Sequence, residues 1–534
     1  MAEFSKEILI QYRHLHFPIR NGAEKIRMQI CLDAQVVREF EAELALDGPR
    51  QWWSFYDVSA FQGKVISLQS IGADLSESQA ELLGQLITQS DGLLYTQDLY
   101  AERYRPQFRF TPRRGWNNDP NGLFFLDDTW HMFYQWNPFG IGWGNMHWGH
   151  ATSRDLIHWQ EQPTALFQKS LQDMPWSGGA VVDARNTSGF GIAAEEPLVL
   201  SFTSTGRGEC LAYSLDGGRS FQEYNGNPVI AHAGRDPKII WFESMHKWVM
   251  IVYDENGSEQ RYALYDSTDL KKWRWMQFLP GWFECPELFD LAVDGGDPGE
   301  RCWVVYGCIQ EKLPSAFLLG AFDGKTFAPH GAVQPAHGGP HFYAAQIFSH
   351  APQGRRIMLG WLRDATYPGM PFGNGMSVPL ELSLRRVSGE TRLCFYPVKE
   401  FDELRIATKS GENITVDQAN KILEKSNDDL MDIDILLTPL NRNPFILDIR
   451  GHPILFNPSA KQVTFAGKTL PCQPDSGKLH LRVLVDRSVT EVFADHGWGA
   501  FASMTIFTDL RPIHLGGDVS IDRLTIHQLK SIWR

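Results

Sequence analysis

The sequence predicts an all-β protein, and three observations carry that expectation. Short apolar runs bounded by turn residues fill the first hundred positions, an Asp-containing turn that closes on an aromatic recurs through the middle of the chain, and a second kind of β-rich pattern follows it. At 534 residues the chain exceeds what one ordinary core holds, so several domains are expected. The pattern changes place them at 1–101, 102–397 and 398–534.

In the first segment, Ile8 to His16, Lys25 to Leu32, Val36 to Leu44 and Trp52 to Val58 read as strands separated by Asn21-Gly22, Asp33-Ala34 and Asp47-Gly48-Pro49 turns. A small N-terminal β-sandwich is the simplest product. Leu82, Leu83, Leu86 and Ile87 fall at helical spacing within Ser76 to Gln89, which predicts one short helix packed on it.

Between 102 and 397 the recurring phrase appears as Ser153-Arg154-Asp155-Leu156 to Trp159, Ser214-Leu215-Asp216-Gly217 to Phe221, Ser267-Thr268-Asp269-Leu270 to Trp273, and Phe322-Asp323-Gly324 to Phe327. A period of about 50 to 60 residues suits one four-stranded blade, so the segment has room for a five-bladed β-propeller. Taken singly, each phrase is only a hairpin turn. After 398, Leu481 to Val485, the turn Asp486-Arg487-Ser488 and Val489 to Phe493 form a hairpin of a C-terminal β-sandwich.

Composition narrows the function classes. Fifty basic against 63 acidic residues leave a formal charge of -13, and no dense basic cluster offsets it, which argues against a nucleic-acid partner. No apolar run reaches membrane-spanning length, and charges at Lys6, Glu7, Arg13 and Arg20 break up any leader. A cytoplasmic location is expected, with secretion or a periplasmic location only if a leader has been removed. Seven cysteines without a Cys-x-x-Cys pair or zinc-type His spacing read as free thiols. The 18 Trp, 33 Phe and 15 Tyr, several beside Asn, Asp and His as in Trp143 to Trp148, suit neutral sugars: rings cover CH faces while polar neighbours take hydroxyls.

Three acidic motifs carry the chemistry: Trp116 to Gly122 around Asp119, Arg235-Asp236-Pro237, and Phe283-Glu284-Cys285-Pro286. Each sets one carboxylate beside residues that turn or interrupt a strand. In a propeller the innermost strands line one channel, so three acids far apart in sequence can meet there. One acid to protonate a leaving oxygen and one carboxylate to attack an anomeric carbon suffice for glycoside cleavage, and a third can hold hydroxyls.

These motifs, with Phe133 to Pro138, Trp148-Gly149-His150-Ala151, Trp176-Ser177-Gly178-Gly179 and Asp486 to Gly497, resemble glycoside hydrolase family 32, the invertases, inulinases and levanases, over residues 102–534. The resemblance implies a five-bladed propeller followed by a β-sandwich. It also implies a retaining β-fructofuranosidase that removes terminal fructosyl units from sucrose, fructooligosaccharides, inulin or levan by double displacement. On that resemblance Asp119 is the nucleophile, Glu284 the acid/base and Asp236 the transition-state stabiliser, while Asn118, Gln135, Trp143, Ser177, Arg235 and Trp361 hold substrate. The expected carboxyl separation is the retaining one, about 5 to 5.5 Å between Asp119 and Glu284. Asp119 is expected to stay ionised with help from Arg235, and Glu284 to keep a proton against an apolar wall.

No cofactor or metal is called for, and the expected partner is a small or oligomeric sugar, not a nucleic acid or a membrane. The departures from the family pattern are Asn117 where Met is common and Gly179 where Ser is common, both expected at the pocket edge. The first hundred residues resemble a small β-sandwich module found ahead of some bacterial members, with either a packing or a carbohydrate-binding role. A fructosyltransferase of the same fold and a non-catalytic fructan-binding propeller are the alternative readings.

Overall fold

The computed structural model describes residues 4–73, 75–192, 196–297, 299–309, 313–426, 428–507 and 511–533. At the N-terminus a four-stranded sheet faces a three-stranded one. Their shared core holds Phe17, Met28, Phe40, Tyr56 and Leu68. The helix is Glu77–Leu86, started by a capping box in which Ser76 accepts from the Gln79 amide and the Gln79 side chain accepts from that of Ser76. Where one strand was expected over Ile8 to His16 there are two, Ser5–Leu9 and His14–Ile19. They belong to different sheets, so the chain must bend at residues 10–13 to cross between layers.

The middle of the chain forms successive antiparallel groups whose innermost strands are β1 (Gly115–Leu126), β2 (Pro175–Val182), β3 (Gly234–Phe242), β4 (Phe283–Asp294) and β5 (Phe342–Ile347). Each inner strand touches the next and β5 touches β1, which closes a propeller ring. At the seam the Ser349 amide donates to Leu123 O (2.8 Å) and the Phe125 amide to Ser349 O (3.0 Å). The repeated Asp phrase sits at one structural corner. In the first, second and third groups the Ser hydroxyl donates to the Asp carboxylate at 3.0, 2.7 and 3.1 Å, and in the fourth Asp323 takes the amides of Lys325 and Thr326. This side-chain turn closes the third strand of each group onto the fourth.

Apolar layers lie between the groups. Phe124, Phe133, Trp148 and Phe202 fill one of them, and Val249, Tyr253, Leu264 and Val305 fill another. Each such side chain, fully buried, stabilises the ring by about 1.5–3 kcal/mol. The C-terminal unit pairs a six-stranded with a five-stranded sheet, and its expected hairpin is Leu479–Val485 and Val489–Ala494. A second helix, Val416–Glu424, starts on the same kind of capping box at Thr415 and Gln418.

The hairpin turn is also the bolt between this sandwich and the propeller. Arg109, just ahead of the first inner strand, reaches Asp486 Oδ2 at 3.1 Å and Glu491 Oε2 at 2.9 Å, with all three side chains fully buried. Replacing Arg109 by Ala leaves two buried carboxylates without a cation, at a cost of about 3–5 kcal/mol. Thermal denaturation is expected to show a lower midpoint for Arg109→Ala, with a smaller deficit in mild acid, where Glu491, its pKa pushed up to about 6 by burial, takes a proton. An equal deficit at every pH would refute this assignment.

Candidate active site

Every inner strand slips register close to its start. The breaks fall between Asn117 and Pro120 in β1, Trp176 and Gly178 in β2, Arg235 and Lys238 in β3, Phe283 and Glu287 in β4, and Tyr343 and Gln346 in β5. A bulge inserts a residue, re-aims its side chain and leaves its backbone outside the ladder. Pro237 and Pro286 fall inside these breaks, where a missing N–H costs nothing, and Pro120 follows the break in β1. Asp236, Cys285 and Ala344 carry φ of 64°, 56° and 48°, a left-handed backbone that costs a non-glycine residue about 1–2 kcal/mol.

The re-aimed side chains meet in a cavity of about 330 Å³. Its lining contains all nine residues singled out from the sequence: Asp119, Asp236 and Glu284 with Asn118, Gln135, Trp143, Ser177, Arg235 and Trp361. Met146, Trp176 and Tyr343 complete it. Trp176 adjoins a motif residue and was within reach of sequence reasoning, whereas Tyr343 has no acid or proline marker beside it.

Ser177 Oγ donates to Asp119 Oδ2 at 2.5 Å. Asp236 Oδ2 accepts the Cys285 amide at 3.0 Å, and the Asp236 amide donates to Thr203 Oγ1 at 3.0 Å, so the strained bulges of β3 and β4 are stitched to each other and to the second group. Arg235 holds Glu284 Oε2 through Nε and a terminal nitrogen, both at 3.0 Å, and the Tyr343 hydroxyl donates to Glu284 Oε1 at 2.5 Å. Two faces of Arg235 are covered by Tyr253 and Phe283, whose ring centres lie 4.7 and 5.1 Å from the guanidinium carbon. Trp361 stands edge-on to Tyr343 and Trp116 as a wall, while Trp143 is 54% exposed at the mouth.

Two expectations about these groups change. Arg235 pairs with Glu284 and not with Asp119, so Glu284 faces a cation and a phenol where an apolar wall was expected. Burial first and the charge of Asp236 second push the Asp119 pKa well up, against the Ser177 hydrogen bond. Burial and the Glu284 charge raise Asp236. The reason is shared: carboxylates crowded into one buried site cannot all ionise cheaply, so Asp119 and Asp236 hold their protons more tightly than isolated acids do. Asn117 and Gly179 lie off the cavity wall. Asn117 is fully buried and accepts from Asn374, and a Cβ on Gly179 would stand 3.3 Å from Pro237 O in the inner ring.

Asn118 Oδ1, Gln135 Oε1, Trp176 Nε1 and Trp361 Nε1 have no hydrogen-bond partner among the described residues although buried. Two acceptors and two donors around one cavity match hydroxyls, which both give and take hydrogen bonds. No group of three or more His, Cys, Asp or Glu suited to a metal ion occurs among the described residues.

The model of the glycosyl hydrolases family 32 N-terminal domain matches residues 109–397, and that of the family 32 C-terminal domain matches 400–528. A levanase of Bacillus subtilis is 34% identical over 81% of this chain and 72% of its own length. An extracellular exo-inulinase of Aspergillus ficuum is 30% identical over 81% of this chain and 96% of its own. Among solved structures, the exo-inulinase of Aspergillus awamori superposes with a TM-score of 0.70 at 26% identity, covering 81% of this chain and all of that one. A β-fructofuranosidase of Schwanniomyces occidentalis complexed with fructosyl-erythritol superposes at 0.69 and 25% identity, covering 81% and 98%.

The raised Asp236 pKa has a stability consequence with a definite sign. A carboxyl whose folded pKa lies above its unfolded 3.8 binds its proton more tightly when folded, so stability falls as pH rises through that interval. Asp236→Asn removes that loss while keeping an oxygen for the Cys285 amide. Its thermal midpoint is expected above wild type near pH 7 and level with it near pH 4. A midpoint below wild type near pH 7 is the contrary result.

Proposed function

The chain belongs to glycoside hydrolase family 32, and starting from that membership we propose that it is a retaining β-fructofuranosidase acting on terminal fructosyl units of sucrose or fructans. The single observation that carries this reading is the convergence of Asp119, Asp236 and Glu284 in one cavity edged by hydroxyl-matching atoms.

In the first step an Asp119 oxygen forms a bond to C2 of the fructosyl unit as the C2–O bond to the leaving group breaks, and Glu284 gives its proton to that oxygen. Glu284 is then an anion, which Arg235 at 3.0 Å and the Tyr343 hydroxyl stabilise. Asp119 attacks as a carboxylate, the form its Ser177 hydrogen bond favours. In the second step Glu284 takes a proton from water, the water oxygen bonds to C2, and the ester to Asp119 breaks with net retention. Asp236 holds substrate hydroxyls as positive charge grows at C2.

Exo action suits a cavity of about 330 Å³, which admits a chain end more readily than a chain crossing it. The levanase and exo-inulinase relatives support fructans as substrates.

Glu284→Gln is expected to lower kcat by on the order of 10²- to 10⁴-fold, because amide nitrogen cannot serve as the acid. Assays on sucrose, inulin and levan side by side, with product anomers followed by NMR, are expected to show fructose released first as the β anomer. The α anomer first, or full activity in the Gln variant, contradicts the mechanism, and oligosaccharides in place of free fructose at moderate sucrose point to a transferase. Tyr343→Phe is expected to lower kcat/KM by about tenfold, through loss of one hydrogen bond to a charged group.

A further inference from the structure

Residues 138–146 connect two strands of the first propeller group, Thr129–Asn137 and His147–Ser153, and carry Trp143 and Met146 to the cavity. Part of this loop is seated in the N-terminal module, while Asn137 Oδ1 of the propeller accepts from the Phe139 amide and from Asn145 Nδ2, both at 3.0 Å. Phe139 is fully buried in the module's core, stacked on Phe40 at 4.0 Å and 9° and edge-on to Phe17 at 5.4 Å. The Glu43 amide donates to Phe139 O at 3.2 Å. Six residues on, Asn145 makes a two-way bond to the backbone of one residue of the module: its Oδ1 accepts the Glu41 amide at 2.8 Å and its Nδ2 donates to Glu41 O at 2.7 Å.

Phe40, Glu41 and Glu43 all lie on Gln35–Glu43, the edge strand of the module's four-stranded sheet. An edge strand has one row of backbone N–H and C=O groups outside the ladder, and here the loop takes the Glu41 amide and carbonyl and the Glu43 amide of that row. Asn145 has φ of 47°, a left-handed backbone that persists in a non-glycine residue when its surroundings over-determine it. Between the two anchors the indole of Trp143 projects half-exposed at the cavity mouth.

We infer that the N-terminal module is a positioning element for the active site, holding the 138–146 loop through Phe139 and Asn145 so that Trp143 stands ready against the outer part of the sugar substrate. The inference deepens the proposed function and rests on it for its kinetic consequence. The structural half does not: the clamp exists whatever the substrate. Trp143 sits at the mouth while the carboxylates lie deeper, so loosening the loop affects how substrate is held more than how its bond is broken. The module thereby acts on specificity without supplying a residue that reacts, and both family models begin after it, at residue 109 or later.

Two variants of the full chain test the clamp from opposite sides. Asn145→Asp tolerates the left-handed backbone but turns a carboxylate oxygen toward Glu41 O, and toward Asn137 Oδ1 of the propeller, in place of the donor. Glu41→Pro leaves the loop's own sequence untouched and removes the outward amide together with the Glu41 side chain, a substitution that an edge strand accepts on its free side. In each, hydrogen exchange of amides 139–147 is expected to speed up, and KM for sucrose to rise by up to about tenfold, the size of one lost hydrogen bond to Glu41, with kcat and the thermal midpoint little changed.

Unchanged exchange in both variants overturns the clamp. Faster exchange with an unchanged KM, or a fall in kcat that tracks a fall in the midpoint, overturns its role in substrate holding. A wild-type enzyme that cleaves none of sucrose, inulin and levan counts against the proposed function instead, and the clamp is then decided by the exchange result.

Discussion

The site depends on one backbone irregularity repeated around a ring. A regular strand sends successive side chains to opposite faces, so five regular inner strands would offer the channel only every second residue. The bulges at the strand starts break that alternation and swing Asp119, Ser177, Asp236 and Glu284 toward one point. Their left-handed residues are held by dedicated contacts. Tyr262 Oη lies 2.8 and 2.9 Å from the carbonyl oxygens of Phe283 and Glu284 and accepts the Cys308 amide at 3.3 Å. Gly307 is required beside it, since a Cβ there would stand 1.8 Å from that hydroxyl.

Directly beyond the bulges the ring is pinned by a buried ion pair. Lys238 of β3 meets Glu287 of β4 at 3.0 Å and donates to Ile347 O of β5 at 2.8 Å, with 3% and 0% of the two side chains exposed. A buried pair adds little net stability over apolar packing, but a shifted register would leave each charge alone, so its use is to specify alignment. Alignment is what the neighbouring bulges need, because a one-residue slip would send Asp236 and Glu284 to the wrong face.

Much of this was legible in the chain because its signals are local. Asp119-Pro120, Asp236-Pro237 and Cys285-Pro286 mark breaks in strands, and the Ser-x-Asp turns mark the outer corners of the propeller groups. The helix at Glu77–Leu86 shows its apolar period, whereas Val416–Glu424 escaped although Thr415 and Gln418 repeat the Ser76 and Gln79 capping pattern. Strand Ile8 to His16 was joined in error because no Gly or Pro marks the crossing between sheets. What sequence could not show is pairing at a distance: Tyr343 on Glu284, Arg235 on Glu284 in place of Asp119, and Asn145 on Glu41 are separated by 59, 49 and 104 positions.

That last group of contacts explains why the site's charges differ from the simplest mechanistic expectation. Three carboxylates line one cavity with the guanidinium of Arg235, and that guanidinium sits on Glu284, the residue that the proposed mechanism leaves as an anion after its first step. In that mechanism Arg235 favours the state that follows proton transfer, whereas the burial and mutual repulsion that raise Asp119 and Asp236 work against the ionised Asp119 that must attack. Interactions stronger after the chemical step has begun than before it are the ones that accelerate it. The same crowding is a liability to the folded state, and the ring seam, the Lys238–Glu287 pair and the Arg109 bolt hold the scaffold against it. Catalytic strain and scaffold stiffness are, in this fold, consequences of the same converging strand ends.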